Sequence, residues 1–504
     1  MVKSIFVFVI CQLFIHHQLS ASEELSATEV TTSYGIVVGI IEGDARQYRG
    51  IPYTQAPLGE LRWQPPRPPL VWQGIKQAIN FGSDCPQAYS SNTKTTKSSS
   101  EDCLTLNIST PKNIPTDSKL PVLVWIHGGG LVAGSGSSPI FGDRVWTDNN
   151  IIFVSFNYRL GALGFFAHPA LDNRLGANFG LMDMVAVLKW LKQNIKAFGG
   201  DSEQLTIMGV SAGAMGVQLL MVTPEAKGLF NRAISQSGYG TWPKPRIKTV
   251  AKMDDSPSAE SIATVLINKI SYKTNTAAIN KADLLKIPAT DLVNAVEGFH
   301  LPIVDGITLP EESALMFARG LQHPVAFMSG GNSFDGSVFP LANLSNESVL
   351  MLLGDRQKQA RELYKNDFKV SELRGISSLF GDMRYVFSSY YMTQQMEKIG
   401  QPGYLYLFAP SSGEANHATA SLKIFNSDSK KIKKMRQYWM NFIKNGTPND
   451  GNLTRWPKQK SGKNQWMVFN EEPVIKDAIL KNKLDFLHRS YLQRISSLKL
   501  NLEQ

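Results

Sequence analysis

The sequence reads FGGDSEQLTIMGVSAG over residues 198–213, and this stretch decides the fold. The apolar run at residues 205–208 predicts a β-strand, and the pattern at residues 214–221 predicts a helix. Between them lies a Gly-x-Ser-x-Gly motif that puts Ser211 at the tip of a sharp strand-to-helix turn. Glycine at positions 209 and 213 leaves room for that turn and for close helix packing. A loop serine between chance glycines is the alternative.

Apolar strand-like runs recur along the chain, with helical patterns such as residues 181–195 between them. The runs cover residues 121–126, 151–156, 205–208, 325–329 and 404–408. Buried strands that alternate with helices favour a largely parallel sheet with helices on both faces. The pattern therefore predicts an α/β fold with a large, mostly parallel central sheet, and one catalytic domain over residues 23–504.

The N-terminus has the pattern of a secretory signal peptide over residues 1–22. Lys3 precedes an apolar run at residues 5–15, and small residues follow at Ser20-Ala21-Ser22. No later stretch approaches the roughly 18 apolar residues of a membrane helix, and the C-terminus shows no retention or lipid-anchor signal. We therefore expect cleavage after about residue 22 and a secreted protein without a transmembrane segment.

The chain has three cysteines, and Cys11 leaves with the signal segment. The remaining pair, Cys85 and Cys103, predicts one disulfide in an exported protein, with two buried free thiols as the alternative. Acceptor sequons for N-glycosylation stand at Asn107, Asn343, Asn346, Asn445 and Asn452. Asn107 lies in a strand-like run, so we expect it to remain unmodified.

The formal net charge is +10, and part of the excess is concentrated in one short run. Lys430, Lys431, Lys433 and Lys434 predict a solvated helix face, with docking to an acidic surface as the alternative. No nucleic-acid-binding motif accompanies them. We therefore expect no nucleic-acid partner.

A serine hydroxyl needs a general base and an orienting carboxylate to act as a nucleophile. After a serine of this type, the acid and then the histidine follow along the chain. His417 fits as the base, because it follows the run at residues 404–408 in a turn-rich loop. His300 and His323 come too early, and His488 lies in an apparent terminal helix at residues 484–495.

The best candidate for the acid is Asp335. It follows the strand-like run at residues 325–329 and a loop at residues 330–334. Its competitor, Asp305, precedes Gly306 and has the pattern of a turn.

The third requirement is a set of donors for the charge that develops on a carbonyl oxygen. The strand at residues 122–126 runs into His127-Gly128-Gly129-Gly130, where glycines let backbone N–H groups point at one spot. We expect Gly129, Gly130 and Ala212 to form this oxyanion hole, and His127 to support the turn. A phosphate-binding loop is excluded because no Gly-Lys-Ser/Thr follows. The chemistry needs neither a metal nor an organic cofactor.

Together these motifs resemble the type-B carboxylesterase/cholinesterase family of α/β-hydrolases over nearly the whole mature chain. The matching segments are residues 49–66, 101–108, 125–130, 157–161, 176–183, 198–213, 232–238 and 456–457. The resemblance implies an α/β-hydrolase fold and a Ser211–Asp335–His417 triad that cleaves small carboxylic esters. It also implies that Cys103 pairs upstream with Cys85, and that Ser237 supports the acid–histidine pair.

One departure from the family pattern concerns the catalytic acid, and two features argue against a cholinesterase. The family acid is usually glutamate, whereas Asp335 stands here. Cholinesterases carry a tryptophan in the first disulfide loop and glutamate before the nucleophile; residues 86–102 contain no tryptophan, and Val210 precedes Ser211. Glutamine at that position is typical of juvenile-hormone esterases. We therefore expect a secreted serine esterase without choline selectivity, and a family member that has lost catalysis and serves binding, adhesion or storage is the alternative.

Overall fold

The computed structural model describes residues 28–88, 99–115, 117–248, 257–271, 279–460 and 462–497. The segment that the sequence analysis assigns to a signal peptide lies outside these ranges. No helix within them is long and apolar enough to span a bilayer.

The strands of the described residues form one large sheet and one small one. They are β1 (Glu29–Thr32), β2 (Gly35–Val38), β3 (Ile40–Glu42), β4 (Ala45–Pro52), β5 (Ile75–Gln77), β6 (Thr105–Pro111), β7 (Leu120–Ile126), β8 (Ile152–Phe156), β9 (Gly200–Val210), β10 (Arg232–Gln236), β11 (Ala326–Asn332), β12 (Gly403–Phe408), β13 (Gln465–Phe469) and β14 (Pro473–Asp477).

The helices fall between these strands and after the last of them. They are α1 (Arg144–Thr147), α2 (Gly161–Gly164), α3 (Phe179–Asn194), α4 (Ala212–Leu220), α5 (Ala259–Ser271), α6 (Lys281–Lys286), α7 (Ala289–Ala295), α8 (Ser313–Ala318), α9 (Asn346–Met351), α10 (Gln357–Leu363), α11 (Lys365–Val370), α12 (Glu372–Gly381), α13 (Phe387–Gln394), α14 (Thr419–Asn426), α15 (Lys430–Asn445) and α16 (Lys481–Ser497). A π-helical turn, Asp382–Val386, joins α12 to α13.

The large sheet has 11 strands in the order β14-β13-β12-β11-β10-β9-β7-β8-β6-β4-β3. The strands from β8 through β7, β9, β10, β11 and β12 to β13 run parallel, and the outer pairs are antiparallel. The predicted mostly parallel sheet, flanked by helices, is therefore confirmed.

Strand β7 shows how the core is divided between the two faces of the sheet. Val122, Val124 and Ile126 pack into one buried cluster, and Leu123 and Trp125 pack into another. Because successive strand residues point to opposite faces, a strand covered on both sides must be apolar throughout. This is why the sequence shows continuous apolar runs in place of alternation.

The predicted loop over residues 330–334 is wrong in its first half. Strand β11 continues to Asn332, because Gly331 and Asn332 still pair with β12 at Leu407 and Phe408. A Cβ on Gly330 would collide with the backbone oxygen of Tyr406, so glycine here serves close strand packing. The glycines that suggested a loop thus belong to a buried strand.

Cys85 and Cys103 form a disulfide, with their Cα atoms 5.0 Å apart. Gln87, next to the disulfide, stabilises the loop that contains Gly134. Its side chain exchanges two hydrogen bonds of 3.0 Å with the backbone of Gly134. Asp84 accepts a hydrogen bond from the hydroxyl of Ser135 in the same loop.

The basic run at the start of α15 is largely paired. Lys431 and Lys434 lie 3.3 and 2.6 Å from the carboxylates of Glu471 and Glu472, and Lys433 lies 3.7 Å from Asp428. These pairs favour the interpretation as a solvated helix face over a free basic docking surface.

Candidate active site

Ser211 lies between the end of β9 and the start of α4, with φ 56° and ψ −121°. Non-glycine residues rarely adopt this strained conformation, which recurs at functional turns. The turn is possible because its neighbours lack side chains. A Cβ on Gly209 would collide with the backbone of Gly213, and a Cβ on Gly213 would collide with the backbone oxygen of Ile126.

Asp335 begins a 3₁₀ turn just after β11, and its carboxylate is fully buried. The hydroxyl of Ser237 donates to it at 2.8 Å. Asn332 donates twice, from its backbone N–H at 2.8 Å and from its side-chain Nδ2 at 3.1 Å. A buried carboxylate with this many donors is held in one orientation.

His417 completes this network from the loop after β12. Its Nδ1–H donates to Asp335 Oδ1 at 2.9 Å, and its backbone N–H donates to the hydroxyl of Ser337 at 2.9 Å. The ring of Tyr385 packs against the imidazole with centroids 4.6 Å apart. Nε2 is buried and has no hydrogen-bond partner among the described residues, so it can still accept a hydrogen bond.

The four side chains reach one edge of the sheet from four adjacent strands. Ser211 follows β9 and its N–H donates to Gln236 at the end of β10, after which Ser237 follows. Asp335 follows β11 and His417 follows β12. Ser237, Asp335 and His417 are directly hydrogen bonded, whereas Ser211 and His417 make no hydrogen bond to each other in this structure.

The oxyanion loop, residues 128–130, follows β7 beside the serine. Gly129 and Gly130 have φ angles of 111° and 63°, and a Cβ on Gly128 would lie 3.2 Å from Cβ of Ser211. Within the described part of the chain, the N–H groups of Gly129, Gly130 and Ala212 donate no hydrogen bond. They are available to a developing oxyanion, and the N–H of Ala212 also lies at the positive end of α4.

His127 stabilises the oxyanion loop through its imidazole ring. Its Nδ1–H donates to the backbone oxygen of Gly128 at 2.9 Å, and its ring stacks on Tyr158 at 4.3 Å. Burial lowers the pKa of His127 from 6.5 to about 4, so the ring is neutral near pH 7. This agrees with a structural part in the turn.

The low pKa of His127 predicts a loss of stability in acid. The unfolded chain takes up a proton at this ring near pH 6.5, whereas the folded chain does so near pH 4. The ring's contribution is therefore complete above pH 6.5, and about 2–3 kcal/mol of it is lost by pH 4.5. Urea unfolding at pH 7 and pH 4.5 measures the change. A His127→Gln variant should lose less stability over this range; equal losses would contradict the assignment.

Ser237→Ala is expected to lower kcat roughly 10-fold, because the Asp335 carboxylate loses one charged hydrogen bond and keeps the others. KM should stay nearly constant. The matched control is Ser235→Ala, two residues earlier in β10, which removes a hydroxyl that donates to Ala214 at 3.0 Å. Steady-state kinetics on one neutral ester measure both variants. If the two behave alike, Ser237 has no special part in the acid–histidine pair.

The other candidates from the sequence lie in separate networks. Asp305 accepts hydrogen bonds from the N–H groups of Ile307 and Leu309 at 3.0 and 2.9 Å, so its carboxylate stabilises a local turn. His323 donates to the backbone oxygen of Thr223. His300 is closer to the site, since its backbone N–H donates to Gly130 at 2.9 Å, although its ring is bound to the backbone of Phe165.

Sequence analysis missed Asn332, which is hydrogen bonded to both Asp335 and Ser237. Besides its two bonds to Asp335, its Nδ2 donates to Ser237 Oγ at 3.2 Å, and its Oδ1 accepts from the N–H of Ala420 at the start of α14. An amide at the end of a buried strand, three residues before the acid, is the signal that could have found it. Within the described residues, no group of His, Cys, Asp and Glu could hold a metal ion.

Comparisons with known proteins identify the family of the chain. The sequence profile of the carboxylesterase family matches residues 26–487. The chain is 31% identical to a fumonisin B1 esterase of Sphingopyxis macrogoltabida over 85% of this chain and 84% of that protein. It is 30% identical to pyrethroid hydrolase Ces2a of Mus musculus over 90% of this chain and 88% of that protein.

Solved structures show the same fold. A carboxylesterase of Geobacillus stearothermophilus superposes with a TM-score of 0.77 at 28% identity, covering 92% of this chain and 100% of its own.

Proposed function

The chain belongs to the carboxylesterase family of carboxylic ester hydrolases, and on this premise we propose that it is a secreted serine esterase with Ser211, Asp335 and His417 as its catalytic triad. In the first half-reaction, Ser211 Oγ attacks the ester carbonyl carbon while His417 Nε2 takes its proton. The N–H groups of Gly129, Gly130 and Ala212 hold the oxyanion. The tetrahedral intermediate then collapses, the alcohol leaves with the proton from His417, and an acyl-enzyme remains.

In the second half-reaction, water attacks the acyl-enzyme and gives its proton to His417. The acid forms, and the proton returns to Ser211. Asp335 orients the imidazole by accepting a hydrogen bond from its Nδ1–H, and it stabilises the imidazolium. Ser237 and Asn332 are positioning residues that act through Asp335.

One observation carries the proposal: the Asp335 carboxylate binds Nδ1 of His417 and leaves Nε2 buried and unpartnered among the described residues. An imidazole with Nδ1–H bound to a carboxylate and Nε2 unpartnered can act as a base when a proton donor comes within reach. The bond from Ser211 is absent here, but catalytic hydrogen bonds often tighten only when substrate is bound.

Hydrolysis of p-nitrophenyl acetate, butyrate and octanoate by the purified protein tests the proposal. A fluorophosphonate probe should label Ser211, and peptide mass spectrometry locates the adduct. Hydrolysis together with this adduct supports the serine esterase and gives its acyl preference. A folded protein that neither hydrolyses these esters nor reacts with the probe would contradict it and favour a binding, adhesion or storage role.

The domain and localisation proposals rest on separate features. The 11-stranded sheet contains strands from β3 to β14, which supports a single catalytic domain over residues 23–504. We infer from the N-terminal pattern that residues 1–22 are a cleaved signal peptide. Among the sequons, Asn343, Asn445 and Asn452 are exposed and are the proposed glycosylation sites, whereas Asn107 is buried between strands.

A further inference from the structure

Arg384 is a buried cation that the proposed reaction does not use. It lies in the π-helical turn between α12 and α13 and is 2% exposed. Such turns interrupt helices at functional sites with unusual frequency. Burying an arginine is costly, so its surroundings should contain either an anion or a full set of acceptors.

The surroundings are aromatic. Five rings lie within 6 Å of the guanidinium carbon: Tyr239 at 3.9 Å, Trp242 at 4.6 Å, Phe380 at 5.5 Å, and Phe299 and Tyr385 at 5.8 Å. We call this set the aromatic cage. Ring faces attract a cation but offer no hydrogen-bond acceptor to its N–H groups.

Two of the three guanidinium nitrogens lack a hydrogen-bond partner among the described residues. Nε and Nη2 of Arg384 are buried without a hydrogen-bond partner among the described residues, and the same holds for the hydroxyl of Tyr239 beside them. The nearest acidic neighbour in sequence, Asp382, is bound to Tyr364 and Lys483. No carboxylate of the described residues forms an ion pair with Arg384.

The aromatic cage is continuous with the proposed catalytic site on two sides. Tyr385 contacts the His417 ring. Burial raises the pKa of Tyr385, and the charge of Asp335 adds to this effect. Phe299 packs so closely on Gly130 that a Cβ there would collide with the ring. Phe299 also lines a cavity of about 130 Å³.

Other buried charges lie near Arg384. Burial lowers the pKa of Lys244, Glu312 raises it, and the charges of Arg494 and Arg384 lower it further. The carboxylate of Glu312 lies 3.3 Å from Lys244 Nζ, so it is engaged with that lysine.

We propose that Arg384 and the aromatic cage form an anion subsite, and that the preferred esters carry a carboxylate within reach of the scissile ester group. This inference rests on the serine esterase function proposed above and specifies its substrate class. The carboxylate would accept hydrogen bonds from the guanidinium, which is the bidentate geometry that arginine offers. The aromatic rings would surround the short apolar spacer between carboxylate and ester.

The test compares anionic with neutral esters in wild type, Arg384→Met and Arg384→Lys. The acyl arm pairs p-nitrophenyl hemiglutarate with p-nitrophenyl butyrate, and the alcohol arm pairs 4-carboxyphenyl acetate with phenyl acetate. In one arm, we expect Arg384→Met to lower the ratio of anionic to neutral kcat/KM roughly 10- to 100-fold. The ratio for Arg384→Lys should lie between those of wild type and Arg384→Met. The arm in which the ratio falls shows whether the acyl or the alcohol side of the preferred ester carries the charge.

Arg374→Met is the matched control. This arginine also lies over an aromatic ring, 3.7 Å from the centre of Phe334, but its guanidinium is paired with Asp367 and Glu414. Its removal should leave the ratio unchanged. The proposal would be overturned if Arg384→Met changed the ratio of anionic to neutral kcat/KM by less than twofold in both arms, or if Arg374→Met changed it equally.

A binding measurement separates this inference from the proposed function and does not depend on a variant. Calorimetry on the wild-type protein compares glutarate with its uncharged analogue glutaramide. Glutarate should bind at least 10-fold more tightly, and Arg384→Met should remove the difference if it folds. If no ester is hydrolysed, the serine esterase proposal fails while this result still decides the subsite. Equal binding of the two compounds would overturn the subsite.

Discussion

Ser211→Ala is expected to lower kcat/KM for a neutral p-nitrophenyl ester by roughly 10⁴- to 10⁶-fold. The side-chain oxygen is the only heavy atom removed, and the proposed reaction forms its covalent intermediate there. Without the acyl-enzyme, the oxyanion donors and His417 can assist only direct attack by water. Labelling by the fluorophosphonate probe should disappear together with the activity.

The fold should not change in this variant. Alanine has the same Cβ as serine, so the strained backbone at φ 56° is unaffected and the neighbouring glycines still fit. Thermal unfolding and circular dichroism check this, with Ser235→Ala as a control that should keep most of its activity. More than about a hundredth of wild-type activity in Ser211→Ala would show that another group is the nucleophile.

Asp335→Asn is expected to lower kcat by about 10³- to 10⁴-fold and to change KM little. The carboxylate accepts hydrogen bonds from Ser237, Asn332 and His417. An amide presents an NH₂ group to at least one of these donors, favours the wrong imidazole tautomer and cannot balance the imidazolium charge. Steady-state kinetics on p-nitrophenyl butyrate measure the loss.

The matched control is Asp305→Asn. Asp305 is also buried and accepts several hydrogen bonds, including those from Ile307 and Leu309, but it lies outside the triad network. This variant should lower the unfolding temperature and keep kcat within a fewfold of wild type. Equal losses of kcat in the two variants would mean that Asp335 serves stability alone.

The sequence predicted the strands best where the chain is buried on both faces. The run at residues 404–408 corresponds to β12, Gly403–Phe408, and the run at residues 121–126 to β7, Leu120–Ile126. The end of β11 was wrong, because Gly330 and Gly331 have the composition of a loop but pack against β12. Glycine is compatible with both a loop and a strand, and pairing with the neighbouring strand determined which of the two formed here.

The site could be predicted where chemistry restricts residue type and chain order. Ser211 lies at a diagnostic turn, and the order of acid and histidine left few candidates. Asn332 and Arg384 have no such motif. Arg384 nevertheless carried a readable signal, because it shares a helical face with Phe380, Phe387 and Tyr391, all of which are buried. A charge on an otherwise apolar face is the pattern to search for.

The spacing of the site along the chain has a consequence for biosynthesis. The bond between Ser237 and Asp335 spans 98 positions, and the bond between Asp335 and His417 spans 82. A ribosome adds roughly 5–20 residues per second, so about 10–40 seconds separate the synthesis of Ser211, the proposed nucleophile, from that of His417, its proposed base. On the proposed mechanism, the growing polypeptide cannot hydrolyse esters until β12 and the loop beyond it have been translated and have joined the sheet.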